Sequence, residues 1–311
     1  MIPRLLLCCQ LFLSMGSYAQ QHSAPQHPAL AIPRPGKPLP DSILKKIDSL
    51  FQAEKGTFAL AFKDLATGST LFIREHESFH AASMMKVPVL MELYHQAAQG
   101  RLQLSDSLLL KNEFTSIADS SLFHLDPTDD SELELYKHIG ERRTLSQLAY
   151  QMITMSSNLA TNLLIDKVNP QNIMATLREL KDTDIHVLRG VEDNAAYQRG
   201  MNNTITASGL LLLFEKMADR TLISPAASDA MIHILLNQHY NEIIPAHLPA
   251  DVKVAHKTGW IKGINHDGGI VFLPDCRKYV LVLLSKDTEN DTASKAVMAA
   301  VSEILYRYET K

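Results

Sequence analysis

Apolar residues first recur at helical spacing at Ile43, Leu44, Ile47, Leu50 and Phe51, on one face of a helix that Asp41 is expected to cap. The spacing then tightens to the alternation of strands in "TFALAFKD" and "STLFIR", joined by "LATG" with Gly68 at the turn, a β-hairpin. Beyond Met84 the period lengthens again. "MMKVPVLMELYHQAAQG" predicts a helix that stops at Gly100, a C′ residue. "TLSQLAYQMITM" and "NLATNLLIDKV" predict two more, and Asn169-Pro170 ends the second and starts another. "TASGLLLLFEKMADR" and "SPAASDAMIHILLNQ" continue the helical stretch. Strand patterns return in "VKVAHKT", "GGIVFLP" and "KYVLVLLS", with turns at Gly263–Asn265 and Pro274-Asp275. A last amphipathic helix, "TASKAVMAAVSEILYRY", follows.

Strands therefore lie at both ends and helices between them, with no internal repeat. A hairpin alone cannot bury a sheet face. The simplest solution is an α+β fold: the first hairpin joins the three later strands in one five-stranded antiparallel sheet. The N- and C-terminal helices cover one face, and an all-helical lobe packs on the other. The expected domain spans 41–311, with a sheet lobe of about 41–82 and 245–311 and a helical lobe of about 83–244.

The first residues stand apart. Arg4, an apolar run from Leu5 to Met15 and the small-x-small Ser17-Tyr18-Ala19 predict a secretory signal peptide over 1–19, with cleavage expected after Ala19. The run is too short for a bilayer anchor, so export to the periplasm or medium, with no membrane span after signal removal, is expected. Residues 20–40, rich in Pro, His, Gln and Ala, predict an extended linker. Cys8 and Cys9 leave with the signal, and Cys276 alone allows no internal disulfide. Hydrophobic residues at 46% and charged residues at 21% fit a packed core rather than disorder. The net charge of −4 gives no reason to expect nucleic acid as a partner, and a monomer is expected.

Two motifs overlap before the first long helix. His76-Glu77-Ser78-Phe79-His80 reads as H-E-x-x-H, a zinc signature, and Ser83-Met84-Met85-Lys86 as S-x-x-K. The zinc motif needs a helix with both histidines on one face and a third ligand. A helix from His76 would place Pro88 deep in its interior, at ~3 kcal/mol or more. A strand also runs directly into this stretch, so His76–His80 is expected in a loop and no metal is expected. Ser42-Ile43-Leu44-Lys45 repeats S-x-x-K on the first helix, where Lys45 is a solvated residue and Ser42 part of the cap. Ser83 differs: it follows Ala81 and Ala82 and opens a strongly apolar helix. A serine there sits beside free backbone N–H groups, and a lysine one turn on can take its proton if its pKa is lowered.

Two further motifs decide between these chemistries. Ser156-Ser157-Asn158 lies between two helical runs, and Lys257-Thr258-Gly259 ends a strand. In this order the three motifs resemble the S-x-x-K, S-D-N and K-T-G set of class A β-lactamases and penicillin-binding proteins, and "HDGGIVFLP" is similar to that family's next strand. The resemblance covers nearly all of 41–311 and implies the two-lobed serine β-lactamase-like fold. It implies that Ser83 is the acylated nucleophile and Lys86 its proton partner. By the same resemblance Ser156 would relay a proton to the leaving nitrogen, and Asn158 would bind the substrate's side-chain amide. Lys257 would supply positive field, and Thr258, next to Gly259, would bind the substrate carboxylate. The backbone N–H groups of Ser83 and Trp260 would form the oxyanion hole. No cofactor is implied.

Class A enzymes hydrolyse the acyl-enzyme with a Glu in a loop after the helices; Glu192 in "LRGVEDNAAYQRGMNNTIT" takes that place. The sequence departs from the family in four places. Arg189-Gly190-Val191-Glu192-Asp193 replaces R-x-E-P, and Ala196 replaces the Asn four residues after the Glu, with Asn194 close by. Ser157 replaces the usual Asp, removing a buried charge, and Trp260 stands in place of a small residue. The expected function is a serine β-lactamase acting on a small-molecule β-lactam. The rivals are a D,D-peptidase or acyltransferase acting on cell-wall peptides, with slow deacylation, and a non-catalytic binding domain.

Overall fold

The computed structural model of the chain describes residues 39–182 and 184–311; the signal peptide and most of the linker expected from the sequence lie outside the described residues. Helix α1 (Asp41–Ala53) leads into β1 (Thr57–Asp64) and β2 (Thr70–Ile73), a hairpin with Gly68 at φ +75°. After the helical segment come β3 (Lys253–Ile261), β4 (Ile264–Phe272) and β5 (Lys278–Lys286). The five strands form one antiparallel sheet in the order β2-β1-β5-β4-β3. The hairpin meets the C-terminal strands through β1 on β5, with Thr57 opposite Lys286 and Asp64 opposite Tyr279.

Strand alternation decides what covers each face. Phe58, Leu60 and Phe62 of β1 point one way with Tyr279, Leu281 and Leu283 of β5. They pack on Ile47 and Phe51 of α1 and on Met298, Val301 and Leu305 of α9 (Asp291–Glu309). Ala59 and Ala61 point the other way with Val280, Val282 and Leu284, into the core shared with the helical lobe. Each fully buried Leu or Phe in these layers contributes about 1.5–3 kcal/mol.

The helical lobe is built on α2 (Lys86–Ala98), buried along most of its length. Around it lie α3 (Leu145–Thr154), α4 (Asn158–Val168), α5 (Pro170–Glu179), the short α6 (Asn194–Gln198), α7 (Ala207–Ala218) and α8 (Pro225–Leu235). Between α2 and α3 the chain makes short strand pairs, Ser107–Leu109 with Arg142–Thr144 and Phe114–Thr115 with Leu122–Phe123. No helix among the described residues is long and apolar enough to cross a membrane.

Four local expectations shift. Asp41 is the first helical residue behind Pro40 and makes no side-chain cap. Ser83 lies in a 3-10 turn (Ala82–Met85) that runs into α2, and Pro88 falls in the first turn of that helix, where its missing N–H has no intrahelical partner to lose. The Lys257–Gly259 motif does not end its strand; β3 continues to Ile261. The β3–β4 turn is Lys262-Gly263, tighter than expected, with Gly263 at φ +75°.

Candidate active site

β3 is an edge strand, so its free edge is open to the helical lobe, and it lies against the 3-10 turn that carries Ser83. The approach is close: a Cβ on Gly259 would lie 3.3 Å from Ser83 N and 3.2 Å from Met84 N. Glycine lets the strand backbone and the turn backbone approach without strain; any side chain there would need them to give by a few tenths of an ångström. Ser83 N belongs to the first turn of a 3-10 helix and has no intrahelical acceptor. Ser83 lines one cleft with Ser156, Thr258, Gly259 and Trp260, a space of about 260 Å³. On the other side of Ser83 and Trp260 the cleft continues past Asn158 and Glu192. Ser83, Ser156, Asn158, Glu192, Thr258, Gly259 and Trp260 thus lie along one groove, and Lys86 and Lys257 are buried behind it, both reaching Ser156.

Lys86 follows the Ser83 turn as the first residue of α2 and is fully buried. Its Nζ donates to Ser156 O (2.6 Å), Ser156 Oγ (3.2 Å) and Asn158 Oδ1 (3.0 Å). Burial lowers its pKa to about 7, against the opposing pull of the Asp130 and Glu192 carboxylates. Lys257, also fully buried, donates to the same Ser156 Oγ (3.0 Å) and to Thr258 O (2.6 Å). Burial first, then the nearby Lys86 charge, push it well below the usual lysine range; Asp267 pulls it back up.

Ser156 sits between α3 and α4 at φ +58°, a conformation that costs about 1 kcal/mol or more outside glycine. Two other non-glycine residues of the groove share it, Ala82 (φ +43°), just before Ser83, and Glu192 (φ +60°). A hydroxyl has two lone pairs and one proton. The two lysines fill the lone pairs of Ser156 Oγ, so its own O–H is left for the cleft.

Asn158 opens α4 and links two chemistries. Its Oδ1 accepts from Lys86, and its Nδ2 donates to Glu192 Oε1 at 2.8 Å. One Nδ2 hydrogen remains for a substrate. Glu192 Oε2 accepts from Asp126 N at 3.2 Å. Burial raises the Glu192 pKa while these two donors oppose it. Its loop is held from three sides. Asn162 of α4 brackets Val191, accepting from Val191 N (2.7 Å) and donating to Val191 O (3.0 Å). Asp193 accepts from Ser116 Oγ, Ile117 N and Ala196 N. Arg189 is buried and donates to Met201 O, Gly190 O and Asn202 Oδ1. Ala196 is the buried residue of the short helix α6, and Asn194, which opens that helix, lines the groove beside Glu192.

The zinc signature does not assemble. His76 is in a turn, exposed, with Nδ1 3.1 Å from Asp184 Oδ2. His80 is on a two-residue strand paired with Thr204 and accepts from Ala82 N. Among the described residues no group of three metal-ligating side chains comes together.

Sequence reasoning missed one acid. Asp130, from the irregular segment before α3, is buried and accepts from Asn158 N, Leu159 N, Glu132 N and Tyr136 Oη, all at 2.8–3.1 Å. No periodicity marks it; the only signal was the missing acid at Ser157, which instead caps α4 through Ala160 N. Also unmarked was a buried His256–Asp267 pair (2.8 Å) behind Lys257; Asp267 also accepts from Ile244 N.

The β-lactamase enzyme family profile matches residues 42–308. The extended-spectrum β-lactamase PER-1 of Pseudomonas aeruginosa is 24% identical over 286 residues, covering 86% of this chain and 87% of its own. A β-lactamase of Bacillus licheniformis is 26% identical, covering 83% and 82%. Among solved structures, PBP-A superposes with a TM-score of 0.75 at 24% identity, covering 90% of this chain and all of its own. A β-lactamase from Chitinophaga pinensis gives 0.74 at 21%, covering 86% and 99%. At these identities the structural likenesses establish the fold.

Proposed function

Because the chain belongs to the β-lactamase enzyme family, we propose that it is an exported serine β-lactamase working through an acyl-enzyme on Ser83. One observation carries the reading: Lys86 and Lys257, from the two lobes, meet on Ser156 Oγ in the groove that Ser83 lines. Neutral Lys86 takes the Ser83 proton as Oγ bonds to the lactam carbonyl carbon. The carbonyl oxygen becomes an anion against the N–H groups of Ser83 and Trp260, each such donor supplying ~3 kcal/mol. The C–N bond then breaks. Ser156 gives its proton to the leaving nitrogen and regains one from Lys86.

Thr258, beside Lys257, receives the substrate carboxylate, and the free Nδ2 hydrogen of Asn158 receives the side-chain amide. Glu192 then takes a proton from water, whose oxygen attacks the ester carbon; Ser83 leaves and is reprotonated. Trp260, 58% exposed, keeps its ring free to stack on the substrate. Export rests on the character of residues 1–19.

A second reading, a cell-wall D,D-peptidase or acyltransferase that deacylates slowly, is favoured by Ala196, buried where the related enzymes offer an asparagine. Time-resolved mass spectrometry with a penicillin and a cephalosporin separates the readings. A transient adduct on Ser83 with accumulating product is the expected result. A persistent adduct gives the peptidase reading, and no adduct leaves a binding domain.

A further inference from the structure

We propose that Asp130 is a positioning residue of this centre: from the 126–136 segment its carboxylate holds in place the Ser156–Asn158 turn, whose Asn158 binds Lys86, and adds its negative charge to that of Glu192 in this neighbourhood. The inference rests on the reading of Lys86 as the proton acceptor of Ser83. The geometry carries it. Asp130 is 8% exposed, and both its oxygens receive donors from the start of α4: Asn158 N at 2.9 Å to each, and Leu159 N at 2.9 Å to Oδ2. A carboxylate at a helix N-terminus also meets the favourable end of the helix dipole. Tyr136 Oη (2.8 Å) and Glu132 N (3.1 Å) fix the carboxylate from its own segment.

The residue so held is the one that matters. Asn158 gives Oδ1 to Lys86 and Nδ2 to Glu192, so a shift of its backbone disturbs both groups. The same segment gives Asp126 N to Glu192. Position 157, inside the turn, offers only a hydroxyl, and that hydroxyl is engaged by Ala160 N. The acid reaches the turn from a distant part of the chain instead.

The charged groups around Lys86 are Lys257 from β3, Glu192 from its loop, and Asp130; Glu132 and Tyr136 adjoin Asp130, and Asp129 lies near Glu192. Asp130 and Glu192 both favour the Lys86 ammonium. Removing the Asp130 charge therefore makes Lys86 easier to deprotonate, while removing its hydrogen bonds loosens Asn158.

The test is the pH profile of adduct formation in the full chain with a penicillin. Asp130→Asn is expected to lower the plateau about tenfold or more and to move the acid limb to lower pH by about one unit. Asp130→Glu keeps the charge on a longer arm; its plateau is expected to fall with the limb in place. A plateau loss in Asp130→Asn with an unmoved limb makes the residue a plain structural cap and overturns the proposal. If Asp130→Asn does not fold, Asp130→Glu decides alone, and an unchanged rate in it overturns the proposal. Absence of a Ser83 adduct in the unsubstituted protein defeats the reading of the site and this inference with it. A normal adduct with unaltered variants defeats the inference only.

Discussion

Lys86 and Lys257 donate to one atom, Ser156 Oγ, at 3.2 and 3.0 Å, from opposite lobes and with no exposure to solvent. Burial disfavours the ammonium form of both lysines, and the Lys86 charge disfavours that of Lys257 further. They also draw electron density from the hydroxyl, which makes Ser156 a better acid toward a leaving nitrogen. The arrangement is costly for folding and useful for proton transfer.

Both lysines have folded pKa values below their unfolded ones, Lys86 at about 7 against 10.5. A depressed pKa contributes stability that is present above the unfolded value and lost as pH falls through the folded value, because the unfolded chain then binds more protons. Thermal stability is therefore expected to rise with pH between about 7 and 10.5, as far as these groups decide it. Lys257→Met removes one of the two and should flatten the slope. An equal slope in the variant would mean that Lys257 contributes nothing to it. In the proposed mechanism neutral Lys86 is the competent form, so the acylation rate should climb through about pH 7 in the same direction.

Gly259→Ala tests the closeness of β3 to the nucleophile turn. The added Cβ would stand 3.1 Å from Met84 Cγ and 3.3 Å from Ser83 N, so the edge strand must retreat by a few tenths of an ångström. That spreads the two oxyanion donors. Misplacing one costs up to ~3 kcal/mol, about a hundredfold in acylation. A variant that acylates at the normal rate would show that the donors tolerate the shift or lie elsewhere.

Glu192→Ala should separate the two half-reactions. Ser83 remains acylated because its activation depends on Lys86 and Ser156, while water loses its base. The adduct is expected to persist in mass spectra, and Ser83→Ala should form none. Rapid turnover by Glu192→Ala would remove that carboxylate from the mechanism.

How much of this was legible differs by element. The strands of the sheet were legible because alternation survives even where both faces are buried: Phe58, Leu60 and Phe62 are bulky while Ala59 and Ala61 are small. Lys86 and Lys257 were legible because their motifs set local spacing beside a turn and along a strand. The Ser156 turn was placed but not its φ of +58°, which tertiary contacts impose on a serine. The stretch between α2 and α3 gave no pattern, since two- and three-residue strand pairs are too short for a period. Asp130 lies there, so the acid that supports the centre was hidden in the least periodic part of the chain.

Gly190→Ala should slow deacylation and leave acylation intact. A Cβ at this position would stand 2.4 Å from Asn162 Oδ1, inside any tolerable contact. Asn162 cannot swing away freely: it is buried in α4, and its amide is held on both sides by Val191. The loop must move instead, and Glu192 lies two residues on. Its bonds to Asn158 Nδ2 and Asp126 N stretch, and the carboxylate leaves the place from which the proposed mechanism has it activate water. Ser83, Lys86 and Ser156 belong to other segments, so adduct formation is expected to continue at the normal rate. Adduct lifetime is the readout: an increase of tenfold or more, about 1.4 kcal/mol in the barrier, is expected. A variant with both rates unchanged would show that Glu192 holds its position without the Gly190–Asn162 contact.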